Sequence, residues 1–143
     1  MSWVSRKGQG KNSGDEQTQA FSLASRSLDV DLAIDAHKDW SDSLFASLHK
    51  DAGKTLDIQV IGCADCCDLG QWIHHGDGDR YLKSYMTFVN LRKTHQQFHQ
   101  TAAQVVIEFQ QGHTDQAMQL LHGHFHELSQ EIIRSLKNIK VIY

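Results

Sequence analysis

Apolar residues along this chain recur at helical spacing. Val30, Ile34, His37, Ser41, Leu44 and Leu48 follow one another at steps of three and four, with Trp40 and Phe45 beside the stripe, the one-sided pattern of a helix packed on a core. The pattern predicts a helix from about residue 20 that ends near Gly53. Residues 54–62 form a connection whose Leu56, Ile58, Val60 and Ile61 cover apolar surface, and a short helix follows with Cys67, Leu69, Trp72 and Ile73. Gly76-Asp77-Gly78 reads as a turn. The next helix is predicted over 81–110, with Tyr85, Phe88, Leu91, His95, Phe98, Ala102, Val105 and Phe109 in register and no proline or glycine inside it. Gly112 interrupts the pattern, Thr114 is placed as an N-cap, and Ala117, Leu121, Phe125, Leu128, Ile132, Leu136 and Ile139 define the last helix.

Long helices with compact connections predict an all-α fold, an antiparallel helical bundle with an additional short helix around Cys67. Residues 1–19 are polar and rich in Gly, Ser, Lys and Gln, a composition that does not offset the entropy of ordering, and are read as a flexible tail. Residues 20–143 form one domain, since 143 residues supply a single core. The net charge of -3 leaves no broad basic footprint for nucleic acid. No apolar run reaches the length of a membrane span, and the N-terminus has no signal-peptide core. A cytoplasmic protein is therefore expected, and there the three cysteines Cys63, Cys66 and Cys67 read as reduced, metal-binding or redox-active thiols rather than as disulfides.

The chemistry concentrates in His37, Cys67, and the pair His95 and His99, which fall on three separate predicted helices. His95 and His99 are four apart, so they lie one turn above each other on one helix face and can grip one ion. Three imidazoles and a thiol form a set that zinc favours. Gln96 follows His95 where a zinc protease carries its glutamate base, so hydrolysis of that type is not expected. A lone buried histidine is more often a hydrogen-bonded core residue than a ligand, and only the combination changes that weighting. Cys63-x-x-Cys66 lacks the second pair of a zinc ribbon and the strand of a thioredoxin site; surplus thiols beside the ligand is the simpler reading. His122, His124 and His126 read as a solvated face, and His49, His74, His75 and His113 receive no role.

Ile34-Asp35-Ala36-His37-Lys38-Asp39-Trp40, Cys67-Asp68-Leu69-Gly70-Gln71-Trp72, and His95 with His99 together resemble the chemoreceptor zinc-binding (CZB) family over about residues 28 to 142. The intervals are most similar to those of the zinc-sensing N-terminal domain of a bacterial diguanylate cyclase. The resemblance implies a four-helix bundle, a symmetric homodimer and zinc held by His37, Cys67, His95 and His99. Cys67, rather than Cys66, is fixed only by its spacing to Gly70 and Trp72. Trp40, Gly70 and Trp72 become packing or outer-shell residues. A role in chemotaxis or cyclic-di-GMP control is implied, with a chemoreceptor signalling region or a diguanylate cyclase as partner, although neither adjoins this stretch.

A filled set of four ligands leaves no position for substrate, so the site senses or staples and is not that of an enzyme. Cys67 must lose its proton to bind, so affinity weakens as pH falls. Oxidation of Cys67 would remove a ligand, with Cys63 and Cys66 as resolving thiols. Two alternatives share parts of this reading. One is a zinc-stapled interaction module. The other is a non-haem di-iron carrier of the hemerythrin kind, which requires bridging carboxylates that neither Glu108 nor Glu127 supplies in register. Val141, Ile142 and Tyr143 are candidates for dimer contact.

Overall fold

In the computed structural model, which describes residues 13–142, every regular element is a helix. The elements are α1 (Ser13–Ser25), α2 (Val30–Leu48), α3 (Ile58–Ile61), α4 (Asp68–His75), α5 (Asp77–Leu82), α6 (Met86–Gln110), α7 (Thr114–Leu120) and α8 (His126–Ile142). A π turn at Leu121–Phe125 joins α7 to α8 without a break, and single 3-10 turns lie at Asp51–Gly53 and Ala64–Cys66.

Side-chain pairs fix the directions of the long helices. His37 meets Ser129 and Asp31 meets Lys140, so α2 and α8 run antiparallel. The Trp40 ring lies 5.4 Å from Phe98 and the His49 ring 6.0 Å from Phe109, so α2 and α6 run the same way. Phe98 stacks on Phe125 at 4.6 Å, and Gly112, at φ +83°, turns the chain between α6 and α7. The all-α bundle is as predicted, with one long crossover from α2 to α6, a known bundle topology. That crossover carries α3, α4 and α5, and therefore Cys67.

Several boundaries differ from the periodicity. Helix begins at Ser13, inside the stretch read as a tail, because Phe21 and Ala24 of α1 are buried and the Trp72 indole N–H donates to the Ala24 carbonyl at 3.0 Å. Residues 1–12 lie outside the described residues. Asp29 separates α1 from α2 by capping the latter, its carboxylate accepting from the Leu32 N–H at 3.0 Å. The helix expected over 81–110 is divided before Met86, where Tyr85 takes an extended conformation and packs its ring 5.8 Å from Phe21. Gly78 lies inside α5 rather than in a turn: a Cβ there would meet Trp72 O and Phe88 Cε1, each at 2.8 Å. Residue 113, not Thr114, is the N-cap of α7.

Candidate metal centre

α6 delivers His95 and His99 from the face that also buries Leu91, Phe98 and Ala102. Cys67 arrives from the crossover as the N-cap of α4, its Sγ accepting from the Gly70 N–H at 3.3 Å. Cys67 Sγ lies 3.4 Å from His95 Nε2 and 3.7 Å from His99 Nε2. Among the described residues, these are the three His, Cys, Asp or Glu groups whose ligand atoms converge, all within 4.8 Å of one another.

The spacing fits zinc. Bonds of about 2.3 Å to sulfur and about 2.05 Å to nitrogen, set tetrahedrally, hold sulfur and nitrogen about 3.6 Å apart. The two observed separations bracket that value. His99 is also in the ligating tautomer: its Nδ1–H donates to the Ile61 carbonyl oxygen at 2.9 Å, which leaves Nε2 with its lone pair toward Cys67. His95 Nδ1 and His74 Nε2 are the two buried side-chain polar atoms without a hydrogen-bond partner among the described residues, though His74 Nε2 lies 3.8 Å from an Asp65 carboxylate oxygen. Their rings lie 6.4 Å apart, so His74, which received no role from the sequence, packs behind a ligand candidate.

Burial sets the protonation states. It lowers the His95 pKa to about 3, with the positive charge of a protonated His99 the next cause, and lowers the His37 pKa to about 4, again with His99 second. His99 is lowered by burial as well, opposed by its bond to Ile61. All three rings are therefore neutral at physiological pH, as ligation requires. Burial raises the Cys67 pKa, opposed by the Gly70 N–H, and the thiol donates to the Ala64 carbonyl at 3.7 Å. The N-terminus of α4 favours the thiolate once the proton leaves.

His37 stands apart from the converged three. It is 8% exposed and faces Phe98 with ring centroids 4.6 Å apart, but its Nε2 lies 2.9 Å from Ser129 Oγ on α8. It shares with the three a cavity of about 570 Å3 whose apolar wall includes Leu28, Leu32, Ala36, Trp40 and Leu69.

Cys63 and Cys66, expected as reduced thiols, are joined in a disulfide, because the 3-10 turn at Ala64–Cys66 folds this i, i+3 pair to a Cα separation of 5.4 Å. Cys67 is the free cysteine. Trp40, Gly70 and Trp72, expected to pack around the ligands, hold distinct places. Trp40 sets its ring edge against His99 at 4.9 Å. Gly70 lets the Ala64 carbonyl rest on α4, where a Cβ would overlap that oxygen. Trp72 ties α4 to α1. The carboxylates that a di-iron centre would need are engaged elsewhere, Glu108 with His113 at 3.3 Å and Glu127 with His124 at 3.9 Å.

No curated protein and no solved structure matches the chain. Residues 37–106 match the family model described as the chemoreceptor zinc-binding domain. That family is zinc-binding and regulatory rather than catalytic. The matched span holds His37, Cys67, His95 and His99 together with the crossover that presents the thiol, and over that span the chain is a chemoreceptor zinc-binding domain.

Proposed function

We propose that this domain is a zinc sensor whose ligands are His37, Cys67, His95 and His99 and whose occupancy alters the packing of the bundle. The observation that carries the reading is the spacing of Cys67 Sγ to two histidine Nε2 atoms, 3.4 and 3.7 Å, already that of a tetrahedral site. Zinc supplies a common electrostatic centre for the thiolate and the imidazoles. Cys67 gives up its proton on binding, His99 keeps its Nδ1–H on Ile61, and His37 completes the set from α2.

The crossover is the element that responds. α3 and the 3-10 turn at Ala64–Cys66 bury no residue, so the stretch from Ile58 to Cys66 has little packing of its own to hold it when Cys67 is released, whereas α4 stays anchored through Leu69, Trp72 and Ile73. Output through a chemoreceptor signalling region or a diguanylate cyclase, a symmetric homodimer and a cytoplasmic setting follow from the family resemblance. No helix of the described residues is long and apolar enough to cross a membrane. The side chains of Val141, Ile142 and Tyr143, the candidates for dimer contact, lie outside the described residues. Oxidation of Cys67 would remove the only thiolate of the set. With Cys63 and Cys66 already paired, they act as resolving thiols only after reduction.

The test is elemental analysis of the wild type and Cys67→Ala, with circular dichroism before and after chelation. About one zinc per chain, lost in the variant while helix content persists, is the expected result. Unfolding on chelation would instead favour a structural staple, and zinc retained by Cys67→Ala would overturn the ligand set.

A further inference from the structure

The His37–Ser129 contact joins a ligand candidate to the last helix of the bundle. Ser129 is 8% exposed and is, with the three histidines, one of four buried polar side chains among the described residues. Its hydroxyl has room for few partners, and it spends itself on His37 Nε2 at 2.9 Å. An imidazole nitrogen has one in-plane position, which either donates or accepts. While Nε2 is bonded to Ser129, that nitrogen is closed to a metal.

From this we infer that Ser129 competes with the metal for His37 and is a positioning residue that sets zinc affinity and passes occupancy to α8. The inference rests on the four-ligand reading above. The Ser129–His37 bond ties α2 to α8, the two helices that Asp31 and Lys140 also pair. When His37 turns to ligate through Nε2, the bond to Ser129 breaks and the buried hydroxyl needs another partner. A serine hydroxyl inside a helix can donate to the carbonyl four residues back, which for Ser129 is Phe125. Phe125 ends the π turn at Leu121–Phe125, and serine bonding back to that position bends helices. π turns of this kind concentrate at functional sites. A single exchange at Ser129 thus connects the ligand on α2 to the segment where α8 departs from regular geometry.

The test is a competition titration with a zinc-chelating dye on the full chain as wild type, Ser129→Ala, Ser129→Thr, His37→Ala and the double variant His37→Ala/Ser129→Ala, each checked for helix content. Ser129→Ala is expected to bind zinc tighter by about 2- to 12-fold, the span that one hydrogen bond sets. Ser129→Thr, which keeps the hydroxyl, should stay near wild type, and adding Ser129→Ala to His37→Ala should change nothing. Hydrogen exchange of the amides around residue 129 should respond to zinc in the wild type and lose that response in Ser129→Ala. Unchanged or weaker binding by Ser129→Ala, with His37→Ala weakened, overturns the competition and leaves the four-ligand reading standing. Wild-type affinity in His37→Ala removes His37 from the ligand set and takes the inference with it.

Discussion

The Ile61 carbonyl oxygen lies 2.9 Å from His99 Nδ1, so a backbone atom of the crossover decides which nitrogen of a ligand candidate faces Cys67. A carbonyl only accepts, so the proton of the neutral ring sits on Nδ1. Nitrogen-15 NMR of the metal-free protein is expected to find His99 as the Nδ1–H tautomer at neutral pH. An Nε2–H tautomer would contradict the site geometry.

Gly70 allows the turn that precedes Cys67 to lie directly on α4, and Gln71 reinforces it by donating from Nε2 to the Asp65 carbonyl at 2.6 Å. Gly70→Ala must push that turn away. The expected cost is about 1–3 kcal/mol by urea denaturation, as for other overpacked sites. Zinc affinity should fall with it, since Cys67 moves with the turn. Unchanged stability and affinity would show that the contact is not needed.

Much of this site is legible in the sequence, and the remainder is not for identifiable reasons. His95 and His99 announce themselves because their spacing alone sets their geometry on any helix, and Cys67 is marked by its distance to Gly70 and Trp72. The Ile61 carbonyl is invisible because every residue has one. Ser129 looks like any serine in an amphipathic helix, and only the antiparallel pairing of α2 and α8 makes it a neighbour of His37. Cys63-x-x-Cys66 is compatible with thiols, metal or disulfide, and the 3-10 turn between them selects among these. The break before Met86 carries no glycine or proline, because what ends the helix is the packing of Tyr85 on Phe21.

The buried Trp72 indole N–H and Ala24 carbonyl join α4 to the C-terminal turn of α1. Trp72→Phe keeps most of the ring volume but leaves the carbonyl without that donor. A loss of about 1–3 kcal/mol is expected, with faster amide exchange in α1 than in α6. Equal protection of α1 in both proteins would show that the bond does not anchor it.

Acid should destabilise the metal-free domain in a defined window. The unfolded chain titrates His37 and His95 near 6.5, whereas burial lowers them to about 4 and about 3 in the folded state. Above pH 6.5 neither state is protonated and the full stability is present. Below it the unfolded chain takes up protons that the folded rings refuse, so stability falls until the folded pKa values are passed. By pH 5 the loss should be about 2 kcal/mol per ring, read as a lower urea midpoint than at pH 7.5. Equal midpoints would contradict the burial of neutral imidazoles.

The central claim is the identity of the four donor atoms, and X-ray absorption at the zinc edge of the loaded protein tests it most directly. The predicted first shell is one sulfur at about 2.3 Å and three nitrogens at about 2.0–2.1 Å. A shell without sulfur, with a second sulfur from Cys66, or with oxygen in place of the third imidazole would contradict the assignment of His37, Cys67, His95 and His99.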